Sequence, residues 1–278
     1  VSQPLIVADD LRLKPGGRSL SLSLLPGEAY AVVGPASGGA SQIFEVLTGM
    51  ARPATGRVQI SGRGVRCGGL KTTRRSTPLS LAKALAGKSD GSRVAEALSA
   101  LQLWEVRKTP WVQLAPESQD ACELLSVLVP ECDWAAIDRT LDCLDPWALD
   151  STWDLLSRRL KEGMGLIVLT NRLDIAGSLG RLIVVSNLSP VFAGTCEEAR
   201  ERHGPSELLV ETKDSSTIKS MVEPMAVSVK VVRGGLIVSA GKGQETAAKL
   251  LTEGYGSVRS VVLKEPTLEE AVLSLAGQ

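Results

Sequence analysis

The sequence is poor in several residue types that chemistry most often uses. It has a single histidine, His203, in 278 residues. Histidine-rich zinc or iron sites are therefore excluded, and any imidazole proton transfer would have to run through His203 alone. Aromatics make up 3% of the chain, and five of the nine are tryptophan. There is no excess charge: 31 Lys+Arg balance 31 Asp+Glu at a pI near 6.8. That balance removes any global pull toward nucleic acid or anionic lipid, and no basic stripe supports nucleic-acid binding. Cys67, Cys122, Cys132, Cys143 and Cys196 form no C-x-x-C pair, and their odd number argues against a disulfide framework, so reduced thiols are expected. No run approaches the about 18 to 20 apolar residues of a membrane span. The N-terminus lacks a basic segment followed by an apolar one, which leads to an expected cytoplasmic location, peripheral to the inner face of the membrane through a partner.

What is present is a globular pattern with 44% hydrophobic residues. Short strands are predicted at 5–7 and 20–24 around the Pro15-Gly16-Gly17 turn, followed by an apolar strand over 29–33. The glycine-rich loop GPASGGASQ comes next at 34–42, then a helix over 43–47 that ends at Thr48-Gly49. Strand, glycine-rich loop and helix in that order make a phosphate-binding unit of a parallel α/β sheet. Residues 65–130 read as a helical insert, with apolar spacing at Val94, Ala97, Leu98 and Leu101. The parallel pattern resumes with strand 134–137, helix 149–161, strand 166–169 and a hairpin of 182–185 with 191–192. A helix over 196–202 closes this part. Residues 205–278 follow the order βαββαβα of a small ferredoxin-like α+β domain, with Gly204-Pro205 as the boundary.

The succession of segments resembles the nucleotide-binding subunit of an ABC transporter over essentially the whole chain. The residues that carry the resemblance are Pro26-Gly27-Glu28, the 34–42 loop, Leu47-Thr48-Gly49, Cys143-Leu144-Asp145-Pro146 and Phe192 to Glu198. The ending Pro266-Thr267-Leu268-Glu269-Glu270 is similar to the last helix of subunits that drive ABC-2-type exporters. The resemblance implies a P-loop NTPase-like ABC ATPase core over 1–204 with its helical subdomain, and a C-terminal accessory domain over 205–278.

It also implies where the working residues belong, and most of them are changed. Gly34, Gly39 and Ser41 stand where the family's phosphate loop has them, but Ser37 replaces a glycine, Ala40 occupies the lysine position beside Gly38 and Gly39, and Gln42 follows Ser41. Without the ammonium the loop keeps a weak anion nest and loses its main fixed charge against a triphosphate. Pro15 falls at the adenine-stacking aromatic, and Gly-Gly-Leu-Lys-Thr-Thr at 68–73 contains no magnesium-sensing glutamine. The signature aligns with Leu114-Ala115-Pro116-Glu117-Ser118. There Pro116 removes an N–H donor and Glu117 adds a charge like that of a phosphate. Asp138 keeps the Walker B carboxylate. Arg139 takes the place of the glutamate that polarises water, and a guanidinium cannot accept a proton. Asn171 falls at the switch histidine.

The expected function is accordingly that of a catalytically inactive ABC-type subunit, with no cofactor required and weak ATP–magnesium binding left open. It would partner an active ABC ATPase homologue, an ABC-2-type membrane permease, or both, as a homo- or heterodimer. Two alternatives are a scaffold independent of nucleotide and a sensor that binds ATP weakly without turnover. A weak ATPase using Asp142 or Asp174 is a third reading. Blander roles stand beside the site residues. Gly34, Gly38 and Gly39 serve equally as a strand-to-helix turn, and Asp138 as a strand-end cap. Leu144, Asp145 and Pro146 are either a D-loop-like interface or a turn with a helix start. Trp134 is expected in the core, Trp104 and Trp111 are the better candidates for an interface beside the default of core burial, and Lys71, Arg74 and Arg75 belong to a solvated loop.

Overall fold

A computed structural model describes residues 3–86, 91–254 and 256–277. They form two compact units divided between Ala193 and Gly194. The first contains β1 (Ile6–Arg12), β2 (Leu20–Leu24), β3 (Ala29–Val33), α1 (Ala40–Leu47), β4 (Thr55–Ile60) and β5 (Gly64–Arg66). Helices α2 (Pro78–Ala86), α3 (Gly91–Ala100), α4 (Pro116–Glu123) and α5 (Leu125–Leu128) follow. Next come β6 (Trp134–Asp138), α6 (Pro146–Lys161), β7 (Gly165–Leu169), α7 (Leu173–Leu179), β8 (Arg181–Ser186) and β9 (Ser189–Thr195), along which the division falls.

Strands β1, β2 and β4 make an antiparallel sheet in the order β2-β1-β4, and the other six run β5-β6-β7-β3-β8-β9. β3 pairs in parallel with β7 and β8, and β6 with β5 and β7. The continuous apolar runs of β3 and β7 are buried at every position, as expected of central parallel strands covered on both faces. Helix α1 covers one face because its apolar residues recur at helical spacing: Ala40, Ile43, Phe44, Val46 and Leu47 are all buried. It stops where Gly49 takes φ +74 and the Thr48 hydroxyl donates to the Phe44 carbonyl at 2.8 Å. Strand β5 lies inside the segment expected to be helical. It is three residues long, and the indole of Trp134 lies where a Cβ on Gly64 would go.

The second unit contains α8 (Cys196–His203), β10 (Ser206–Thr212), α9 (Ser215–Val222), β11 (Ser228–Val232), β12 (Gly235–Ala240), α10 (Gly243–Glu253), β13 (Val258–Lys264) and α11 (Leu268–Ala276). Its sheet runs β11-β12-β10-β13 with every pair antiparallel, the ferredoxin-like arrangement of a βαββαβ chain. Alternation buries Leu208, Val210, Leu236, Val238 and Ala240 on one face against Ile218, Val222 and Leu250 of the helices. Thr195 with Glu198, and Thr267 with Glu270, form capping boxes at the starts of α8 and α11. The sequence places a boundary at 204–205. The compact units instead divide ahead of α8, because α8 packs on α11. Among the described residues no helix is long and apolar enough to cross a membrane.

Candidate functional site

The order β6-β7-β3 with parallel pairing brings three loops to one edge of the sheet. These are the glycine-rich loop after β3, Asp138-Arg139 after β6 and Thr170-Asn171 after β7. The carboxyl edge of such a sheet is where an α/β fold binds ligands.

The glycine-rich loop is shaped by close backbone approaches. A Cβ on Gly34 would lie 2.2 Å from the Val185 carbonyl oxygen, so only glycine fits there. Gly39, at φ +100, starts α1 and faces Leu188 of the β8–β9 turn, where a Cβ would come within 3.0 Å of the leucine Cα. The Gly38 amide donates to the Pro35 carbonyl at 2.8 Å, and the Leu188 amide donates to the Gly38 carbonyl at 2.8 Å. Lys14 holds the same turn, its ammonium donating to the Asn187 carbonyl at 2.6 Å. The turn role given to Gly34, Gly38 and Gly39 is thus accounted for by contacts within the chain. One of the loop's own amides is already used.

Ala40 is the first residue of α1 and is 1% exposed, a member of the hydrophobic core that also contains Ile43, Phe44 and Leu47. Ser37 and Gln42 are exposed and Ser41 is half-buried. The first amides of α1 remain a partial positive charge, as at any helix start. No acidic or basic side chain occupies the helix's first turn or the loop that leads to it. The loop therefore offers an anion no charged side chain, only backbone amides and the neutral donors of Ser37, Ser41 and Gln42.

At the end of β6, Asp138 is exposed and its carbonyl accepts the Thr140 hydroxyl at 3.0 Å. Among the described residues no donor meets its carboxylate. Arg139 adopts φ +54, and its amide donates to the Leu169 carbonyl at 2.9 Å, which ties the end of β6 to the end of β7. Asp142 continues that tie. Its carboxylate accepts the Thr170 hydroxyl and, at 3.1 Å, the Asn171 amide, while the Arg172 amide donates to the Thr170 hydroxyl oxygen at 3.0 Å. Asp174 pairs with Arg172 at 2.7 Å, and that guanidinium holds its carboxyl below the usual carboxylate range. Both carboxylates considered as substitute bases are thus bonded to their own chain, and Asn171 is exposed beside them. Cys67, just ahead of the Gly68-Gly69 segment, contacts the Thr140 hydroxyl at 3.1 Å, and burial pushes its thiol up to about 11.

The signature-like residues stand at the start of α4. Leu114 is buried, Ala115 occupies the N-cap position without a capping hydrogen bond, Pro116 is the first helical residue, and Glu117 is exposed with Ser118 half-buried. Gln119 anchors this start by donating to the Trp111 carbonyl at 2.8 Å. At the D-loop-like segment Leu144 is buried and the Asp145 carboxylate accepts the amides of Trp147 and Ala148, each at 2.9 Å, with Pro146 at the first helical position. The helix-start role is therefore filled within the chain.

Trp134 is buried at 2% exposure, as expected, and Trp104 is 40% exposed, with the Arg107 guanidinium 4.3 Å from its ring centre. The most exposed tryptophan is Trp147, at 75%. Sequence reasoning passed over it, although helix phase locates it. The buried positions of α6 are Ala148, Thr152, Leu155 and Leu156, so Trp147 falls off that stripe.

At this edge Ala40 presents a buried methyl, Arg139 a guanidinium and Asp138 an exposed carboxylate, while Asp142 and Asp174 are already hydrogen-bonded or ion-paired. Asp142 on Thr170, the Arg139 amide on the Leu169 carbonyl and the Thr170 amide on the Val32 carbonyl at 3.1 Å make a tie across the ends of β6, β7 and β3.

No family model matches the sequence. The chain is similar to the daunorubicin resistance ATP-binding protein DrrA3 of Streptomyces coeruleorubidus, 24% identical over 284 residues that cover 93% of this chain and 90% of that protein. It is also similar to the taurine import ATP-binding protein TauB of Pseudomonas aeruginosa, 29% identical over 189 residues that cover 62% of this chain and 72% of that protein. Among solved structures, an ATP-binding subunit of an ABC transporter superposes with a TM-score of 0.61 at 16% identity, over 71% of this chain and 92% of that one. A dimeric post-hydrolysis state of the ATP-binding cassette MJ0796, bound to ADP and Pi, gives a TM-score of 0.58 at 16% identity over 68% of this chain and 98% of that one. The fold is that of the ATP-binding subunit of ABC transporters, and sequence similarity to a resistance ATP-binding protein runs along nearly the whole chain, while that to an import ATP-binding protein covers 62% of it.

Proposed function

We propose that this chain is a transporter-associated ABC-type subunit that does not turn over ATP. It acts as a structural or regulatory partner of an ABC-2-type transport or cell-surface machine, bound to an active ATPase homologue, a membrane permease, or both. The observation that carries the reading is Ala40, a buried core residue where the phosphate-binding lysine belongs. Support comes also from Arg139 at the water-polarising position and from Asp142, whose carboxylate is spent on Thr170 and Asn171. Similarity to DrrA3 along both chains, including the C-terminal unit, favours an export-type partner over an import-type one, since the TauB match covers less of the chain. In that setting the exposed Trp147, beside the Asp145 cap, faces whatever subunit meets the D-loop-like segment.

A second reading, a nucleotide-independent scaffold, is favoured by the loop's internal bonds at Gly38, which leave fewer amides for a phosphate. Calorimetric titration of the full chain with ATP and magnesium separates the two. Micromolar binding supports a nucleotide-sensing partner, and an absence of heat supports the scaffold.

A further inference from the structure

The chain carries 31 Lys+Arg against 31 Asp+Glu, yet its segments do not share that balance. Residues 71–83 and 104–112 together hold Lys71, Arg74, Arg75, Lys83, Arg107 and Lys108 against a single acid, Glu105. The fold lays these two segments side by side. The Leu79 amide donates to the Arg107 carbonyl at 2.9 Å and the Trp111 amide to the Ser76 carbonyl at 2.7 Å, and Lys108 falls in the chain between those two ties.

Arg74 and Arg75 are the central residues of a tight turn. The Ser76 amide closes it by donating to the Thr73 carbonyl at 3.1 Å, and the Thr73 amide donates in return to the Ser76 hydroxyl oxygen at 2.9 Å. Both arginines are exposed, as are Lys71, Lys83 and Lys108. Among the described residues none of these five cations has an ion-pair partner. The turn is thus a fixed mount for two free guanidinium groups, held against the segment that carries Lys108.

Two apolar side chains stand beside the cations. Val112 is 57% exposed next to the tie at Trp111, and Trp104 is 40% exposed beside Arg107. Unpaired cations held together attract an anionic surface, and the apolar groups select among such surfaces. An indole is well placed at the headgroup level of a bilayer, where one side is apolar and the other wet. Val112 gains from leaving water for the acyl boundary, and a phosphodiester or a carboxylate offers it no such gain.

We propose that this patch rests on the anionic lipid headgroups of a membrane, with Arg74, Arg75 and Lys108 on the phosphates and Trp104 and Val112 at the acyl boundary. The proposal stands on the patch alone, so its failure would leave the function proposed above untouched.

Co-sedimentation of the full chain with vesicles of equal parts phosphatidylcholine and phosphatidylglycerol tests it, with pure phosphatidylcholine vesicles alongside. Binding is expected to the anionic vesicles alone, and it should vanish in about 1 M salt, where the screening length is about 3 Å. Each basic side chain near such a surface strengthens binding about fivefold, so Arg74→Gln/Arg75→Gln/Lys108→Gln should weaken it about a hundredfold. Lys213→Gln/Arg233→Gln/Lys264→Gln removes three exposed cations of the C-terminal unit and should bind as the unmodified chain does. Val112→Ser should weaken binding severalfold. Every substituted side chain is exposed, so an unchanged melting temperature is expected for all three variants. A chain that stays in solution beside the anionic vesicles overturns the proposal, and so does capture by a DNA duplex in place of the vesicles. Equal weakening by the C-terminal substitutions overturns it as well. Full-strength binding by Val112→Ser does the same, because attraction by charge alone does not choose a bilayer.

Discussion

The carboxyl edge of the parallel sheet and the helix starts of the C-terminal unit use polar side chains in the same way, yet with different consequences. In the C-terminal unit Thr195, Asp214 and Thr267 bond to the first amides of their helices, which is ordinary capping. At the sheet edge Asp142 and Asp145 also bond to the chain's own backbone, and Asp174 pairs with its neighbour Arg172. Only the second set lies on the segments that the family resemblance assigns to nucleotide or subunit contacts. Polar groups there hold loops together, and α1, whose start has no side-chain cap, carries Ala40. On the function proposed, scaffold and ligand chemistry have separated in this chain.

The largest effect that sharpens the comparison belongs to the scaffold. Ile43→Ala removes a fully buried side chain from the core of the parallel sheet and should cost about 2–5 kcal/mol in chemical denaturation. A cost below about 0.5 kcal/mol, the range of an exposed substitution, would mean that α1 is not seated as described.

Next in size is the loop tie. Asp142→Ala leaves the Thr170 hydroxyl and the Asn171 amide without their acceptor and should cost about 1.5–3 kcal/mol, the range for hydrogen bonds to a charged group. Faster hydrogen exchange at Asn171 should accompany the loss. Unchanged exchange there would break the comparison, because Asp142 would then be free for a ligand.

The smallest effect lies in the C-terminal unit and depends on pH. The Asp214 carboxyl is held at about 2, below its ordinary 3.8, by the Thr217 hydroxyl, then the Ser216 hydroxyl and the Thr217 amide. The folded-state pKa is depressed, so the cap's contribution is complete above 3.8 and fades as pH falls toward 2. Asp214→Asn should flatten the acid limb of a stability–pH curve over that interval, and an unaltered limb would remove Asp214 from the account.

Much of the architecture could be read in advance because it follows from periodicity. The buried runs of β3 and β7, the helical spacing of α1 and the alternation in β10 and β12 each announce their element. Strand β5 escaped notice because three residues carry no period, and its place is set by Trp134 on the neighbouring strand. The position of α8 in the C-terminal unit was hidden too, since Gly204-Pro205 is a local turn signal and the packing of α8 on α11 spans distant residues. Within the site, the family resemblance picked out Gly34, Asp138, Asn171 and Asp145. It could not tell that Asp142 spans from the end of β6 to the end of β7, a contact between residues 28 positions apart.

The separation of scaffold from chemistry is tested most directly by single-turnover hydrolysis of ATP with magnesium by the purified full chain. With Ala40 in the core and Arg139 at the water-polarising position, release of phosphate should not rise above the rate without protein. Phosphate release by the unmodified chain that Ala40→Gly leaves intact and Asp138→Asn abolishes would contradict the account.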